Sequence, residues 1–274
     1  VTTIVAEPKI MDLELIQFPF STFNEKARWA LDYKGLPRTN KYLLAGPHMG
    51  YVAKRTGQTA TPVLRAGQDY VAGSAQIIAF LEARWPDPPL LPADTAQRGE
   101  ALEIQTRFDA DWGPRSRRAV LVAIASVPRY LVKMFGSEHS APARLFYGAM
   151  LPLARKKIRR GNGINSPADV VDGERAIDEM LDFVAERSAA TGYLVGDGFT
   201  VADLTAAAFI APVADPPNSP MTRPRPVPSS IEKWQARRAD HPGVAWALEM
   251  YRRHRNGPGA TGSPPISEMS KQPA

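Results

Sequence analysis

The pattern of apolar residues changes at one proline-rich segment, Pro86 to Pro89, and this change limits the folds open to the chain. Before the segment, short apolar runs typical of strands alternate with runs that have helical spacing. After it, nearly every pattern is helical. The sequence therefore predicts a small mixed α/β domain over residues 12–86, a proline-containing linker and an all-α domain over 94–255.

Six elements are expected in the first domain. We predict strands over residues 13–17, 41–44, 62–65 and 69–71, and helices over 23–33 and 74–85. The last two strands flank a turn at Gly67, which predicts a hairpin. The stretch around Pro47 and Gly50 has no clear period, so we expect a loop there.

Two helix starts in the second domain carry the capping-box pattern, in which a hydroxyl residue is followed three places later by an acidic one. One box joins Ser166 to Asp169, and the other joins Thr200 to Asp203. The helix after Thr200, as far as Ile210, is apolar nearly all round, so we expect it to be central and buried. Loss of its cap in Asp203→Ala is expected to cost about 1 kcal/mol.

Other parts of the second domain have weaker patterns. Helical spacing is visible over residues 101–108 and 117–125. Residues 231–254 have the spacing of an amphipathic helix with a break near Pro242. The Gly-, Pro- and Ser-rich residues 256–274 are expected to form a disordered tail.

Composition excludes several classes of function. The 274 residues contain no cysteine, so disulfides, cysteine-ligated metals and catalysis by the protein's own thiol are excluded. The net charge of +6 includes two basic runs, 155–160 and 252–255, that lack the interleaved aromatic residues on which bases stack. We interpret both runs as solvated helix faces, although a basic surface would attract an anionic small substrate.

Membrane and targeting patterns are not found in the sequence. No run approaches the roughly 20 apolar residues that span a bilayer. Residues 1–11 lack the basic and then apolar pattern of a signal peptide. We therefore expect a cytoplasmic protein with no membrane partner and no nucleic-acid partner.

Ser21 is the first candidate functional residue because it lies between a strand and a helix. An apolar run ends at Phe18, and the helical pattern begins near Phe23. A hydroxyl at such a junction lies beside unpaired N–H groups and the positive end of a helix dipole, where a thiolate is stabilised. The alternative is a hydroxyl that only caps the helix. Thr22 and Glu25 form a capping box of their own, which would leave Ser21 free and makes Thr22 the second candidate.

Three segments together resemble the cytosolic glutathione transferase family. Residues 21–28 look like the active-site segment of its serine-type classes. Residues 61–64 are similar to the family's cis-proline segment, and residues 73–74 resemble its acidic-Ser pair. The resemblance implies a thioredoxin-like N-terminal domain, an all-helical C-terminal domain, glutathione as co-substrate and a homodimer.

The resemblance also implies a role for each motif. Ser21 would donate a hydrogen bond to the glutathione thiolate, Thr61 would offer its backbone to the cysteinyl part, and Ser74 would hold the γ-glutamyl end. The glutathione-binding residues implied in this way are Ser21, Phe23, His48, Lys54, Thr61, Pro62, Gly73 and Ser74. Without the resemblance, Pro62 is expected to follow a trans bond, and Ser74 is expected to be a helix N-cap.

Two positions depart from the family pattern. Gly73 stands where Asp or Glu is usual, so a carboxylate that would meet the ammonium group of glutathione is missing. Asp109 or Asp111, from a partner subunit, is the candidate replacement. The lysines that often meet the glycyl carboxylate are also missing, which leaves His48 or Lys54 for that role.

We expect the second substrate between the two domains. The residues predicted to line its pocket are Phe18, Phe20, Trp112, Arg115 and Arg118. The alternative is that the aromatic residues belong to the core and the arginines to a solvated face. The four histidines are too scattered for a metal site, so no metal is expected.

The leading hypothesis is a detoxifying transferase in which Ser21 stabilises the glutathione thiolate for conjugation to a hydrophobic electrophile. The same thiolate would serve a glutathione-dependent peroxidase, reductase or ether-cleaving activity. A protein–glutathione mixed disulfide is excluded because cysteine is absent. The third alternative is a non-catalytic ligand-binding or carrier protein, which Gly73 and the missing lysines favour.

Overall fold

A computed structural model of the chain describes residues 12–221 and 223–255. In the first domain, four short strands form one mixed sheet. The strands are β1 (Leu13–Gln17), β2 (Thr39–Tyr42), β3 (Val63–Ala66) and β4 (Asp69–Ala72). They lie in the order β2-β1-β3-β4, with β1 parallel to β2 and the other neighbours antiparallel. The predicted strand–helix–strand unit with a following hairpin is confirmed.

Three helices accompany this sheet: α1 (Thr22–Tyr33), α2 (His48–Thr56) and α3 (Ser74–Arg84). Helices α1 and α3 agree with the prediction to within one residue, whereas β2 begins two residues early. The prediction of a loop around Pro47 and Gly50 is wrong, since α2 occupies most of this stretch. Val52 is the buried residue of α2, so the helix shows too few apolar positions for a period to be visible.

The described part of the second domain is helical. Its helices are α4 (Thr95–Arg107), α5 (Gly113–Ala125), α6 (Pro128–Gly136), α7 (Ala141–Gly161), α8 (Pro167–Arg187), α9 (Val201–Ala214), α10 (Ser229–Ala236) and α11 (Pro242–His254). A π-helical turn, Phe108–Trp112, joins α4 to α5. The predicted break near Pro242 is confirmed. Helix α4 begins six residues earlier than predicted. Helix α6 has no counterpart among the predicted helices, and α7 was indicated only by the basic run 155–160, which was interpreted as a helix face.

Helix α9 is the centre of the second domain. Every residue from Val201 to Val213 is buried, and the capping box between Thr200 and Asp203 is present, so both predictions are confirmed. Phe209 of α9 packs edge-on against Phe23 of α1, with ring centroids 4.8 Å apart. The central helix of the second domain therefore also contacts the first domain.

A buried ion cluster joins α1 to the end of α11. Glu25 is fully buried and accepts hydrogen bonds from Nε of Arg28 at 2.8 Å, Nε of Arg255 at 2.8 Å and the hydroxyl of Tyr251 at 3.2 Å. Arg255 also donates to Asp32 at 2.7 Å. Each buried charge meets an opposite charge and hydrogen-bond partners, which offset its desolvation.

The linker between the domains is held by Lys34 and Glu82. Nζ of Lys34 lies 2.6 Å from the Glu82 carboxylate and donates to the carbonyls of Trp85 and Pro88 at 2.7 and 3.0 Å. Glu82 accepts a hydrogen bond from the backbone N–H of Leu90 at 3.1 Å. The end of α1 and the end of α3 are therefore both tied to the linker.

Some expectations about the ends of the domains stay predictions. The structure has no helix or strand between Arg84 and Thr95, where the linker was expected. The predicted disordered tail, 256–274, lies outside the described residues. Within the described ranges no single helix is both long and apolar enough to cross a membrane. The segment α4–α5 together with α6 has the length and composition of a span, but it is bent by 112° between α5 and α6.

The two capping boxes make the same set of hydrogen bonds in different surroundings. Asp203 is fully buried and accepts from the backbone N–H groups of Leu194 and Thr200 and from the Thr200 hydroxyl, at 2.8 to 2.9 Å. Asp169 is partly exposed and accepts three equivalent bonds from Asn165 and Ser166 at 2.7 to 3.0 Å. A comparison of Asp203 with Asp169 therefore separates the effect of burial on stability from the effect of the number of hydrogen bonds.

We expect Asp203→Ala to lower the free energy of unfolding by about 2–4 kcal/mol, because it leaves buried N–H donors without an acceptor. This loss exceeds the value expected from the sequence alone. Asp169→Ala is the matched control, and its loss will be clearly smaller because water replaces the carboxylate. Urea unfolding of both variants measures the difference, and equal losses would contradict the role given to burial.

Candidate active site

Ser21 is the N-cap of α1. Its backbone is extended (φ -173°, ψ 132°), and its Oγ accepts a hydrogen bond from the backbone N–H of Asn24 at 3.4 Å. The predicted capping box between Thr22 and Glu25 is wrong. Thr22 is the first helical residue, and the Glu25 carboxylate is held in the buried ion cluster instead of reaching back to the helix start.

Among the described residues the Ser21 hydroxyl accepts a hydrogen bond and donates none. A serine oxygen can accept a bond while its O–H donates another, and the 3.4 Å bond to Asn24 is long. Helix geometry leaves the N–H groups of Thr22 and Phe23 without intrahelical partners. Because Ser21 is partly exposed, an anion in front of α1 can meet both its hydroxyl and the positive end of the helix.

Arg28 holds the turn that carries Ser21. Its Nη1 donates to the backbone carbonyl of Phe18 at 3.1 Å and to the side-chain oxygen of Gln17 at 2.5 Å. Its Nε donates to Glu25 at 2.8 Å. The buried ion cluster therefore positions the end of β1 relative to the start of α1.

The Thr61–Pro62 peptide bond is cis, which confirms the expectation from the family resemblance. Nδ2 of Asn24 donates to Oγ1 of Thr61 at 3.2 Å, so the turn before β3 lies beside the start of α1. Among the described residues no hydrogen bond uses the backbone N–H or carbonyl of Thr61. The carbonyl of Pro62 accepts from the N–H of Gly73 at 2.9 Å, which brings the third motif to the same end of the strands.

Gly73 is the N-cap of α3, and this corrects the expectation that Ser74 takes that position. Gly73 has a φ of 99°, a conformation that glycine adopts at low cost. The side-chain oxygen of Gln76 occupies the space where a Cβ at position 73 would lie. Gln76 is thus an oxygen-bearing side chain at the position where the family pattern has a carboxylate. The sequence did not single it out, because only the turn at Gly73 brings it there.

His48 and Lys54 both lie on α2. Nδ1 of His48 accepts from the backbone N–H of Gly46 at 2.9 Å, so the proton of the neutral ring is on Nε2. Burial lowers the pKa of His48, which favours the neutral ring. Phe18 packs edge-on against this ring, with centroids 4.7 Å apart. Lys54 is exposed.

The carboxylates proposed to replace the one missing at Gly73 are engaged within their own subunit. Oδ2 of Asp109 lies 2.6 Å from Nζ of Lys26, a fully buried lysine of α1. Burial lowers the pKa of Lys26 to about 8 against the opposing effect of Asp109, and burial raises the pKa of Asp109. Asp111 lies 3.4 Å from Arg115. A role for either carboxylate in a partner subunit stays a prediction.

An apolar pocket lies behind Phe20, the residue that precedes Ser21. Side chains from α5, α6 and α10 form much of its wall, including Val120, Ile124, Tyr130, Met134 and Trp234. The cavity volume is about 20 Å³, close to the space of one water molecule. Phe18 does not line this cavity, which corrects the prediction for that residue; its ring packs against Phe135 of α6, with centroids 6.0 Å apart. An electrophile would therefore have to displace side chains to enter.

The structure does not bring Trp112, Arg115 and Arg118 to this pocket, which corrects the prediction. The indole N–H of Trp112 donates to Glu179 at 3.0 Å inside the helical core. Arg115 lies 2.9 Å from Asp172 and 2.8 Å from Glu179, and Arg118 lies 3.1 Å from Asp172. These arginines face α8, while a different face of α5 lines the pocket. The alternative is observed for Trp112, which is buried. It is wrong for the arginines, which are not solvated: they are 18% and 24% exposed and are paired with acidic residues of α8.

Arg223 is a pocket residue that the sequence did not single out. Its side chain is 8% exposed, pairs with Asp215, and places the guanidinium 5.7 Å from the ring of Phe20. Its Nε has no hydrogen-bond partner among the described residues. Arg223 lies in a proline-rich loop without a period, so no pattern points to it. One buried guanidinium in an apolar pocket suits an apolar molecule that carries an oxygen acceptor.

Acidic and histidine side chains offer no metal centre in residues 12–221 and 223–255. No three of them converge in a way that could hold a metal ion. The expectation that the protein uses no metal stays a prediction.

Comparisons with known proteins give the same family for both domains. The glutathione S-transferase N-terminal domain matches residues 15–89, and the glutathione S-transferase C-terminal domain matches residues 145–234. A maleylpyruvate isomerase from a Ralstonia species is 30% identical over 132 residues, which cover 47% of this chain and 59% of the isomerase. The matched part is therefore less than two thirds of that relative's length.

Solved structures share the fold. The beta-etherase LigF from Sphingobium sp. strain SYK-6 has a TM-score of 0.62 at 19% identity, over 91% of this chain and 97% of LigF. A glutathione S-transferase from Methylobacterium radiotolerans, in complex with glutathione sulfonate, has a TM-score of 0.55 at 20% identity, over 93% of this chain and 97% of that one. The expected fold, a thioredoxin-like domain followed by a helical domain, is confirmed. Since the two family matches together span more than half of the sequence, the chain belongs to the glutathione S-transferase family.

Proposed function

We propose that the protein is a glutathione transferase in which Ser21 donates a hydrogen bond to the thiolate of glutathione in front of α1. The observation that carries this proposal is that Ser21, Thr61 and Gly73 lie at the same end of the strands, with the backbone of Thr61 free of hydrogen bonds among the described residues. The Methylobacterium radiotolerans structure with glutathione sulfonate supports glutathione as the ligand. The carboxamide of Gln76 would accept from the ammonium group in place of the missing carboxylate.

The energies of this arrangement are sufficient for thiol activation. A free thiol has a pKa of about 8.5, and lowering it by about two units requires roughly 2.7 kcal/mol of preferential thiolate stabilisation. A hydrogen bond to an anion contributes about 1.5–3 kcal/mol, and a helix N-terminus contributes about 0.3–1 kcal/mol. Ser21 therefore acts as a donor, and no neighbouring base is required.

The second substrate would be a largely apolar electrophile that carries one oxygen acceptor. The pocket is lined by Phe20, the residue before Ser21, and is apolar except for groups such as the Arg223 guanidinium. In a conjugation, the thiolate sulfur bonds to the electrophilic carbon and the leaving group departs with its electron pair. With a conjugated alkene, a proton from water completes the addition instead.

Glutathione-dependent isomerisation is the second candidate, and Arg223 is the observation that favours it. The thiolate would add to the double bond of an unsaturated acid, the resulting single bond would rotate, and the thiolate would leave again. No atom is gained or lost. Nε of Arg223 has no hydrogen-bond partner among the described residues and suits a carboxylate or keto oxygen of such a substrate. The relative named maleylpyruvate isomerase supports this class.

A homodimer is also part of the proposal, because the family resemblance implies one. Light scattering from the purified protein measures the mass in solution. The cytoplasmic location stays a prediction.

We expect Ser21→Ala to raise the pKa of bound glutathione's thiol by about one to two units, because it removes the hydroxyl donor to the thiolate. Thr22→Ala is the control, since Thr22 keeps its backbone N–H at the helix start. Thiolate ultraviolet absorbance of the protein with glutathione, titrated against pH, measures both values.

An unshifted thiol pKa in the wild-type protein would contradict the transferase. Retained binding of apolar ligands without thiol activation would then support the carrier alternative. A rise in Thr22→Ala and none in Ser21→Ala would move the role to the second candidate residue.

We expect Gln76→Ala to weaken glutathione binding about tenfold, which corresponds to roughly 1.4 kcal/mol, while the bound thiol keeps its pKa. The carboxamide would contact the ammonium end of glutathione and lie away from the sulfur. Gln76→Glu would tighten binding by supplying a carboxylate. Gln68→Ala, an exposed glutamine in the β3–β4 turn, is the control, and calorimetric titration gives the affinities. If Gln76→Ala binds glutathione as tightly as the wild type, the role given to the Gln76 carboxamide is wrong.

We expect Ile124→Ala to lower kcat/KM for an apolar electrophile about fivefold or more, because Ile124 lines the pocket and its apolar surface is lost. Arg115→Ala should leave kcat/KM within about twofold and lower the free energy of unfolding by about 1 kcal/mol, because its partners lie on α8. If kcat/KM falls in Arg115→Ala and is unchanged in Ile124→Ala, Arg115 and not Ile124 contacts the substrate.

A further inference from the structure

Helix α7 presents a large apolar surface to solvent. Tyr147 is its buried residue. Four large apolar side chains are exposed, and their exposed fractions are 78% for Leu145, 64% for Phe146, 42% for Met150 and 77% for Leu153. Their spacing places them on one face of the helix. The neighbouring element in the structure is α6, which packs on the other side, so this face is left uncovered in the described chain.

The same helix is strongly basic. Its 21 residues contain no Asp or Glu, and its basic residues are Arg144, Arg155, Lys156, Lys157, Arg159 and Arg160. Helical spacing puts Lys156, Lys157 and Arg160 on the face that carries the exposed apolar residues, and all three are exposed. One face of α7 is therefore apolar over its first two thirds and cationic over its last third.

We propose that this face of α7 binds the surface of a membrane that contains anionic lipid. This departs from the expectation of no membrane partner, which rested on the lack of spanning and targeting patterns and not on the surface of a folded helix. The four apolar side chains would enter the boundary between headgroups and acyl chains, and the basic end would contact the headgroups. This partner fits both parts of the face. A second copy of α7 would cover the apolar part and bring no acidic group to the cations, and a nucleic acid would leave the apolar part in water.

Membrane binding through α7 is compatible with an open active site. No residue of the candidate active site lies on α7, and the pocket behind Phe20 is lined by α6 on the side away from it. The protein would lie on the surface through one peripheral helix. This inference does not depend on the proposed glutathione chemistry.

The test is flotation of the full-length protein with large unilamellar vesicles, either of phosphatidylcholine alone or of phosphatidylcholine with phosphatidylserine. We expect partitioning to be about tenfold or more stronger with phosphatidylserine at low salt and to fall as salt screens the charges. Leu145→Ser with Phe146→Ser, and separately Lys156→Glu with Lys157→Glu, should each reduce it about tenfold.

Matched control variants change residues of the same type elsewhere. Val171→Ser alters an apolar residue of α8 that is 68% exposed. Arg98→Glu with Lys233→Glu makes the same change of net charge at exposed positions of α4 and α10. Both controls should partition within about twofold of the wild type, since a Debye length of about 10 Å confines the effect to charges near the surface.

The proposal is overturned if the wild-type protein does not float with anionic vesicles at low salt, or if the controls lose binding as strongly as the α7 variants. A third outcome is that the wild-type protein does not bind vesicles and that Leu145→Ser with Phe146→Ser lowers the mass measured by light scattering. This face of α7 would then be a contact between copies of the chain. Circular dichroism and thiolate absorbance of each variant report the fold and the glutathione site separately.

Discussion

Glu25 is a fully buried carboxylate, and the geometry of the candidate active site depends on the two cations that hold it. Arg28 links it to the end of β1, and Arg255 links it to the end of α11. An uncompensated buried charge destabilises the fold by several kcal/mol. Burial of the Glu25 carboxylate therefore requires that Arg28 and Arg255 stay in place. The position of Ser21 in front of α1 follows from this, because the turn before it is one of the groups that Arg28 binds.

Elements that bury a regular face could be predicted from the sequence. Strand β1, helices α1 and α3, and the capping boxes at Thr200 and Ser166 follow from local patterns, and the structure contains all of them. Helices α2 and α7 bury one residue each. A helix with so little of its surface in the core has no buried apolar stripe that shows its period. Val52 of α2 packs against Ile16 and Val63, whereas the large apolar side chains of α7 are mostly exposed.

The candidate site divides in the same way. Ser21, Thr61 and Pro62 belong to short segments whose geometry is local, and the structure places them together. Gln76 and Arg223 could not be predicted, because a backbone turn and a patternless loop bring them to the site. The spacing of Arg115 and Arg118 showed that they share a face of α5, but periodicity does not say which neighbouring element that face meets.

The pairing of Glu25 with Arg255 also has a consequence for the order in which the protein is made. The two residues are separated by 230 positions, and the sheet domain leaves the ribosome long before the second cation exists. During this interval the nascent first domain holds a carboxylate with only one of its two guanidinium partners. Completion of the ion cluster that holds the turn before Ser21 is therefore coupled to synthesis of the last helix. A chain that ends before Arg255 leaves Glu25 with one guanidinium partner, although Ser21, Thr61 and Gly73 have all been translated.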